Sequence, residues 1–472
     1  MEPFELNEIA YQSIPLPEDI QRAKDFGDFE LSRKLIENKL NKPQTSETLK
    51  KRLTIEKMIL EVLENAQQYP FNEAEAAQLM KEAFADFDPQ ELLDIVSSAD
   101  VEWIYQQGER CYHRRFIENL VKTRHDYYER YLFEEGNTID NERQTELDDN
   151  IVEMKQATKR KARIRLKQSI APKESLTSEE GPFLVHLPLP RDNGFIQNSQ
   201  VLDTKGNVAK IDAEEVIQRT IAFQTDDADD LFFEVTHEYE IEAVYHDLFA
   251  LIEDKNFPKA LSKEEKMKWQ AELQEKSPHI LFTPFLESLL SEIISSEMTL
   301  VEKAFHIYQF VTKQINYSFM REYCTIPNIS EYCAVNQKGD CGVQAILFIT
   351  LCRMSGIPAK WESGLYISEY NQGNHDWAKF YLPQVGWLYA DVSFGGSAYR
   401  GGNEIRWKYY FGNLDIFRMP ANDNIQIPFT IEKKQLRNDP IDNQRGEFET
   451  AERGFRANEL LLNLTLLDFE IL

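Results

Sequence analysis

Through residues 1–135 apolar positions recur every three or four residues, the period of an amphipathic helix. DIQRAKDFGDFELSRKLIENKL carries such stripes on both sides of Phe-Gly-Asp, and TLKKRLTIEKMILEVLENAQQY and NEAEAAQLMKEAFADF extend them. DPQELLDIVSS opens on Asp-Pro, which presets a first helical turn. No copy recurs at a fixed period, so the expectation is an irregular, all-helical domain. Residues 136–180 are dominated by charge. EMKQATKRKARIRLK, with Lys155, Lys159, Arg160, Lys161, Arg163, Arg165 and Lys167, predicts a helix whose solvated basic face pairs with acidic neighbours. APKESLTSEEGP then reads as a linker.

From Gly181 the pattern switches to alternation. FLVHLPLPR, SQVLDTKGNVAKIDAEEVIQRTIAFQT and DLFFEVTHEYEIEAVY are rich in Val, Ile, Phe and Tyr and are divided by turn residues, predicting a small β-sandwich over 181–246. Helical periodicity returns in SKEEKMKWQAELQEK and TLVEKAFHIYQFVTKQI, within a unit spanning 247–430. CGVQAILFITLCRM predicts a further helix, ending before Gly356 and Pro358, and AKWESGLYI, HDWAKFYL and GWLYADVSF read as strands. The tail, 431–472, ends in the apolar LLLNLTLLDFEIL, expected to dock on the body. The class is therefore α+β.

Composition narrows the function. The net charge of −27 repels nucleic-acid phosphates, which argues against DNA or RNA as partners. No apolar run approaches the length of a membrane span. MEPFELNEIAYQSIPLPEDI has neither the basic nor the apolar region of a secretory leader. Five cysteines without a CxxC pair suit a reducing compartment, so the expected location is cytoplasmic, with no disulfide framework and no structural zinc site. No cofactor is expected.

Cys341 is the exceptional cysteine. It follows Gly339-Asp340 and opens the helical run, where unpaired N–H groups favour a thiolate. Downstream, His375 begins one strand and Asp391 ends another, in the order nucleophile, base, orienting carboxylate. A hairpin centred on Gln384 and Val385 would pair Ala378 with Asp391 and leave His375 three residues from that position, so the ladder alone does not close the triad.

These blocks, GDC opening a helix that runs to CRMSGIPAKW, then HDWAKFYL, then GWLYADVS, resemble the transglutaminase-like cysteine enzyme superfamily over residues 300–420. HLPLPR resembles the β domain that often precedes this core in bacterial members, and YYFGNLDIFRMPAN a bacterial extension of it. The resemblance implies a papain-like core, a Cys-bearing helix on an antiparallel sheet. It implies Cys341 as nucleophile, His375 as base and acid, and Asp391 as orienter. It implies a peptide or protein substrate, and chemistry through a thioester. The Cys341 N–H is the natural oxyanion donor, with Tyr317 or Gln337 as candidates for the second. Peptide or amide hydrolysis leads, with glutamine transglutamination or deamidation as the alternative, since no Trp precedes Cys341 as in animal cross-linking members. Calcium dependence stays open. A different class, a non-catalytic module gripping a protein partner through the helical domain, is the rival.

Overall fold

The computed structural model describes residues 6–65, 67–132, 139–177, 179, 181–439 and 441–472. In the first 132 residues the helices Glu18–Asp25, Phe29–Leu40, Glu47–Asn65, Glu73–Ala83, Gln90–Ser97, Phe116–Thr123 and His125–Arg130 form. Asp28 caps the second, its carboxylate accepting from the Leu31 N–H. The all-helical expectation fails at one place. Trp103–Gln106 and Glu109–Tyr112 pair as an antiparallel hairpin, because aromatic and branched residues flank Gln107-Gly108, both at positive φ. Gly27 packs against that hairpin's backbone, where a Cβ would collide with the Tyr105 carbonyl.

The expected basic helix is also corrected. A helix, Ile139–Ala157, stops before Thr158, and the basic run becomes the strand Lys159–Pro172. Its side chains alternate: Ala162, Ile164 and Leu166 are fully buried, while the cations between them face acids on the antiparallel strand Phe233–Val244. Arg163 meets Glu240 at 3.0 Å and Arg165 meets Glu238 at 2.7 Å, each pair directly opposite in register. The period is two, so the charges ride one face of a sheet. That sheet runs Leu460–Ile471, Lys159–Pro172, Phe233–Val244, Ile196–Lys205. A second runs Glu447–Glu449, Phe183–Pro188, Thr220–Thr225, Val208–Ile211. Phe183, Val185, Phe223, Phe233, Val235 and Phe448 pack together between the two. The β unit thus draws on chain before 181 and on the C-terminal segment, whose last strand pairs along Lys159–Pro172.

The remaining sheet is antiparallel and five-stranded, in the order Phe411–Gly412, Gly386–Ala390, Gln372–Leu382, Ala359–Ile367, Arg418–Asn422. The helix Cys341–Met354 lies on one face. Every residue from Gly342 to Arg353 is buried, as an apolar run without a polar face requires. Asp340 caps it through the Val343 N–H at 3.2 Å. Ala378 and Phe380 face this helix, Phe348 meeting Phe380 at 5.8 Å between ring centroids. The helices Leu300–Gln314, Ile329–Asn336 and Val392–Arg400 complete the layer. The helical domain packs on the loop ahead of Cys341: the Phe319 N–H donates to Asn119, Gln68 and Glu322 exchange two hydrogen bonds, and the Arg115 guanidinium lies 3.4 Å from the centre of the Phe319 ring. Among the described residues no helix is long and apolar enough to cross a membrane.

Removing residues 460–472 uncovers the edge of the strand Lys159–Pro172 from Ala162 to Pro172. The expected outcome is a lower melting temperature and aggregation, read by thermal melting and size-exclusion chromatography.

Candidate active site

Cys341 is partly accessible, whereas Cys111, Cys324, Cys333 and Cys352 are buried. Its thiol donates to Asp376 Oδ2 at 3.4 Å. The same carboxylate oxygen accepts from the Tyr323 hydroxyl at 3.2 Å, and that hydroxyl lies 2.6 Å from Asp340 Oδ1. Gln444 donates to Asp376 Oδ1 and, at 3.0 Å, to the His375 carbonyl. Gly342 is required here: a Cβ would lie 2.5 Å from Asp376 Oδ2 and overlap the Tyr323 hydroxyl. Burial, then Asp376, then Asp340 push the thiol well above its ordinary value. The helix N-terminus, which by itself favours a thiolate, is outweighed.

His375 is buried and its Nε2 lies 2.7 Å from Asp391 Oδ2. The hairpin registers Ala378 with Ala390 and Leu382 with Gly386, one residue tighter than the expected pairing with Asp391. Asp391 therefore leaves the ladder and caps the next helix, accepting from the Phe394 N–H at 2.9 Å and the Ser393 hydroxyl at 3.1 Å. This turn out of the sheet brings it to His375. Arg418 contacts Asp391 Oδ2 at 2.9 Å and grips Asp415 through Nε and Nη2 at 2.9 and 2.7 Å. Burial would raise the Asp391 pKa, but His375 and Arg418 hold it at about 2. Burial lowers that of His375 against the pull of Asp391, so the imidazole is neutral at pH 7. Phe394, with its ring centroid 4.5 Å away, packs on the imidazole.

Residues 287–392, which hold Cys341, His375 and Asp391, match the family model of the transglutaminase-like superfamily.
The chain carries a transglutaminase-like core.
Two solved structures are similar to parts of the chain. One is a candidate cysteine protease from Cytophaga hutchinsonii, with 11% identity, covering 66% of this chain and 98% of that one, at a TM-score of 0.41. The other is the periplasmic domain of TgpA from Pseudomonas aeruginosa, with 13% identity, covering 52% and 92%, at a TM-score of 0.27. No curated protein matches the chain.

Within the transglutaminase-like core the three candidates are only partly united. His375 and Asp391 are in contact, but no hydrogen bond joins Cys341 to His375 among the described residues. Strand alternation is the reason. Asp376 shares the face of Ala378 and Phe380, turned to the Cys341 helix, and His375 shares the other with Trp377 and Lys379, which contact buried Glu362. Of the two oxyanion candidates, Tyr317 pairs with Gly339 in a short parallel ladder beside the thiol. Burial first, then the charges of Cys341 and Asp340, push its hydroxyl up. Gln337 is displaced: its side chain is exposed, its φ is 52°, and its carbonyl is used by the Asn316 N–H. Asp376, Tyr323, Gln444 and Arg418 were not foreseen. Only Asp376, beside His375 on a strand, carried a sequence signal. Among the described residues no three His, Cys, Asp or Glu side chains converge as a metal site.

Arg418→Met leaves Asp391 and Asp415 buried without their cation, and urea unfolding should show a loss of about 3–5 kcal/mol. The Asp391 contribution has a defined pH window. Because its folded value is depressed from 3.8 to about 2, the stabilisation is complete above the unfolded value and lost as pH falls through the folded one. The stability gap between wild type and Asp391→Asn should accordingly be full at neutral pH and close on acidification toward pH 2.

Proposed function

We propose that the core is a thiol-dependent acyl-transfer centre that hydrolyses peptide or amide bonds, with Cys341 as nucleophile, His375 as base and acid, and Asp391 as orienter. The observation that carries this reading is the buried His375–Asp391 contact of 2.7 Å, one residue along the strand from Asp376, which meets the partly accessible Cys341 at the start of its helix. The raised thiol and the depressed imidazole favour a neutral resting pair, so the proton moves within the reaction and not before it. In this proposal substrate displaces the Asp376 contact and brings the sulfur, now free of it, within reach of His375, which takes the thiol proton as sulfur attacks the amide carbonyl. The carbonyl oxygen becomes an oxyanion held by the Cys341 N–H, which has no intrahelical acceptor in the first turn, and by the Tyr317 hydroxyl. Collapse to the thioester expels the amine with the proton from His375, and water then releases the acid. An amine in place of water gives cross-linking through the same groups, so the acceptor decides the outcome.

Cys341→Ala should abolish turnover of a mixed peptide library while changing stability by less than about 1 kcal/mol, because Cys341 is partly accessible and its thiol gives up a single long contact of 3.4 Å. Mass spectrometry of the products distinguishes the acceptors: shortened peptides or a carboxylate mark water, and a mass adduct with added putrescine marks transfer. Turnover that survives Cys341→Ala refutes the proposal.

A further inference from the structure

The catalytic reading has no use for Asp376, yet three separated parts of the chain converge to hold this carboxyl against the thiol. Tyr323, from the loop ahead of the Cys341 helix, donates to Oδ2 at 3.2 Å. Gln444, from the segment that follows the last core strand, donates to Oδ1 and fixes the adjoining His375 carbonyl at 3.0 Å. Gly342, by lacking a Cβ, leaves room for the carboxyl at the helix start. Asp376 itself is 4% exposed, and its strand position points it at Cys341 and away from the His375–Asp391 pair. A carboxyl held in this way is a built feature of the site, since each of these contacts constrains its position relative to sulfur.

We infer that Asp376 is a positioning residue for the nucleophile, one that holds the Cys341 proton and keeps the sulfur a thiol until substrate enters. The inference rests on the proposed role of Cys341 and deepens it. Asp376 is pushed up to about 8, mainly by burial, and so still ionises before the thiol, which is raised above its ordinary value; once ionised it accepts the S–H and repels a thiolate. The groups facing it set where it ionises. Asp340 lies on the helix cap, and Asp439 and Asp442 come from the C-terminal segment; the three carboxyls, with burial first, hold Asp376 itself toward its protonated form. Tyr323 opposes this by donating to Asp376, whereas Arg445, by favouring the charge on Asp340, indirectly reinforces it. His375, on the same strand, faces the opposite side. The consequence is a nucleophile guarded against oxidants and stray electrophiles in the resting enzyme, because the thiolate is the reactive form.

The test is the pH profile of Cys341 alkylation by iodoacetamide, followed by peptide mapping, in the full chain. Asp376→Asn should lower the midpoint by about one unit or more, so that alkylation between pH 8 and the wild-type midpoint, where Asp376 is ionised, is about tenfold faster than in wild type. A residue with only a structural role would leave this midpoint in place. Asp376→Ser serves as a second neutral variant if the first does not melt cooperatively, and should shift the profile in the same direction. An unchanged midpoint in either folded variant, or a sulfur that stays unreactive to pH 10 in both, overturns the inference. Its failure is separable from failure of the catalytic reading, which is judged by turnover in Cys341→Ala.

Discussion

Arg418 is the interaction on which the candidate site depends. Its guanidinium is buried and bridges two buried carboxylates, Asp391 and Asp415. Without that cation, Asp391 could not stay ionised in a medium that penalises charge, and an un-ionised Asp391 would orient the imidazole poorly. The aromatic rings of Tyr366, Trp377 and Phe394 lie within 5.3 Å of the guanidinium carbon and close the pocket around it. The strand Arg418–Asn422 sits at the sheet edge beside Ala359–Ile367, so the cation reaches Asp391 from a part of the chain well beyond the motif.

The site is divided by the pleat of one strand. His375 and Asp376 are neighbours in sequence and point to opposite faces, one to Asp391 and the other to Cys341. The two faces have different chemistry. The His375 face holds ions that are paired with one another, such as Lys379 with Glu362 at 3.1 Å. The Asp376 face holds carboxyls crowded beside a thiol. A single strand therefore sets the imidazole among paired ions and the sulfur among carboxyls.

The flanking units hold the thiol's neighbours from two sides. Gln68, Asn119 and Arg115 of the helical domain hold residues 319–322, and Tyr323 follows directly. On the other side, Gln444 belongs to the chain between the core and the strand Glu447–Glu449, which is part of the β-sandwich. The position of the thiol's neighbours is thus tied to both ends of the protein.

Much was legible in the residues themselves. The helix from Cys341 follows from a capping Asp, an apolar run and a terminating Gly-Ile-Pro. The strands HDWAKFYL and GWLYADVS follow from their aromatic and branched content. These are local signals, carried by residues within a turn or two of each other. The basic run is a strand in which Ala162, Ile164 and Leu166 alternate with cations, and the density of charge around it masks that period of two. Other features had no local trace. The turn of Asp391 out of the ladder depends on a hairpin register one residue tighter than the sequence suggested. Arg418, Tyr323 and Gln444 reach the site from distant segments, and nothing near them marks the destination. Which of two adjacent residues meets the sulfur was decided by the seating of the Cys341 helix on the sheet, and that seating is set by packing between elements that are far apart in the chain.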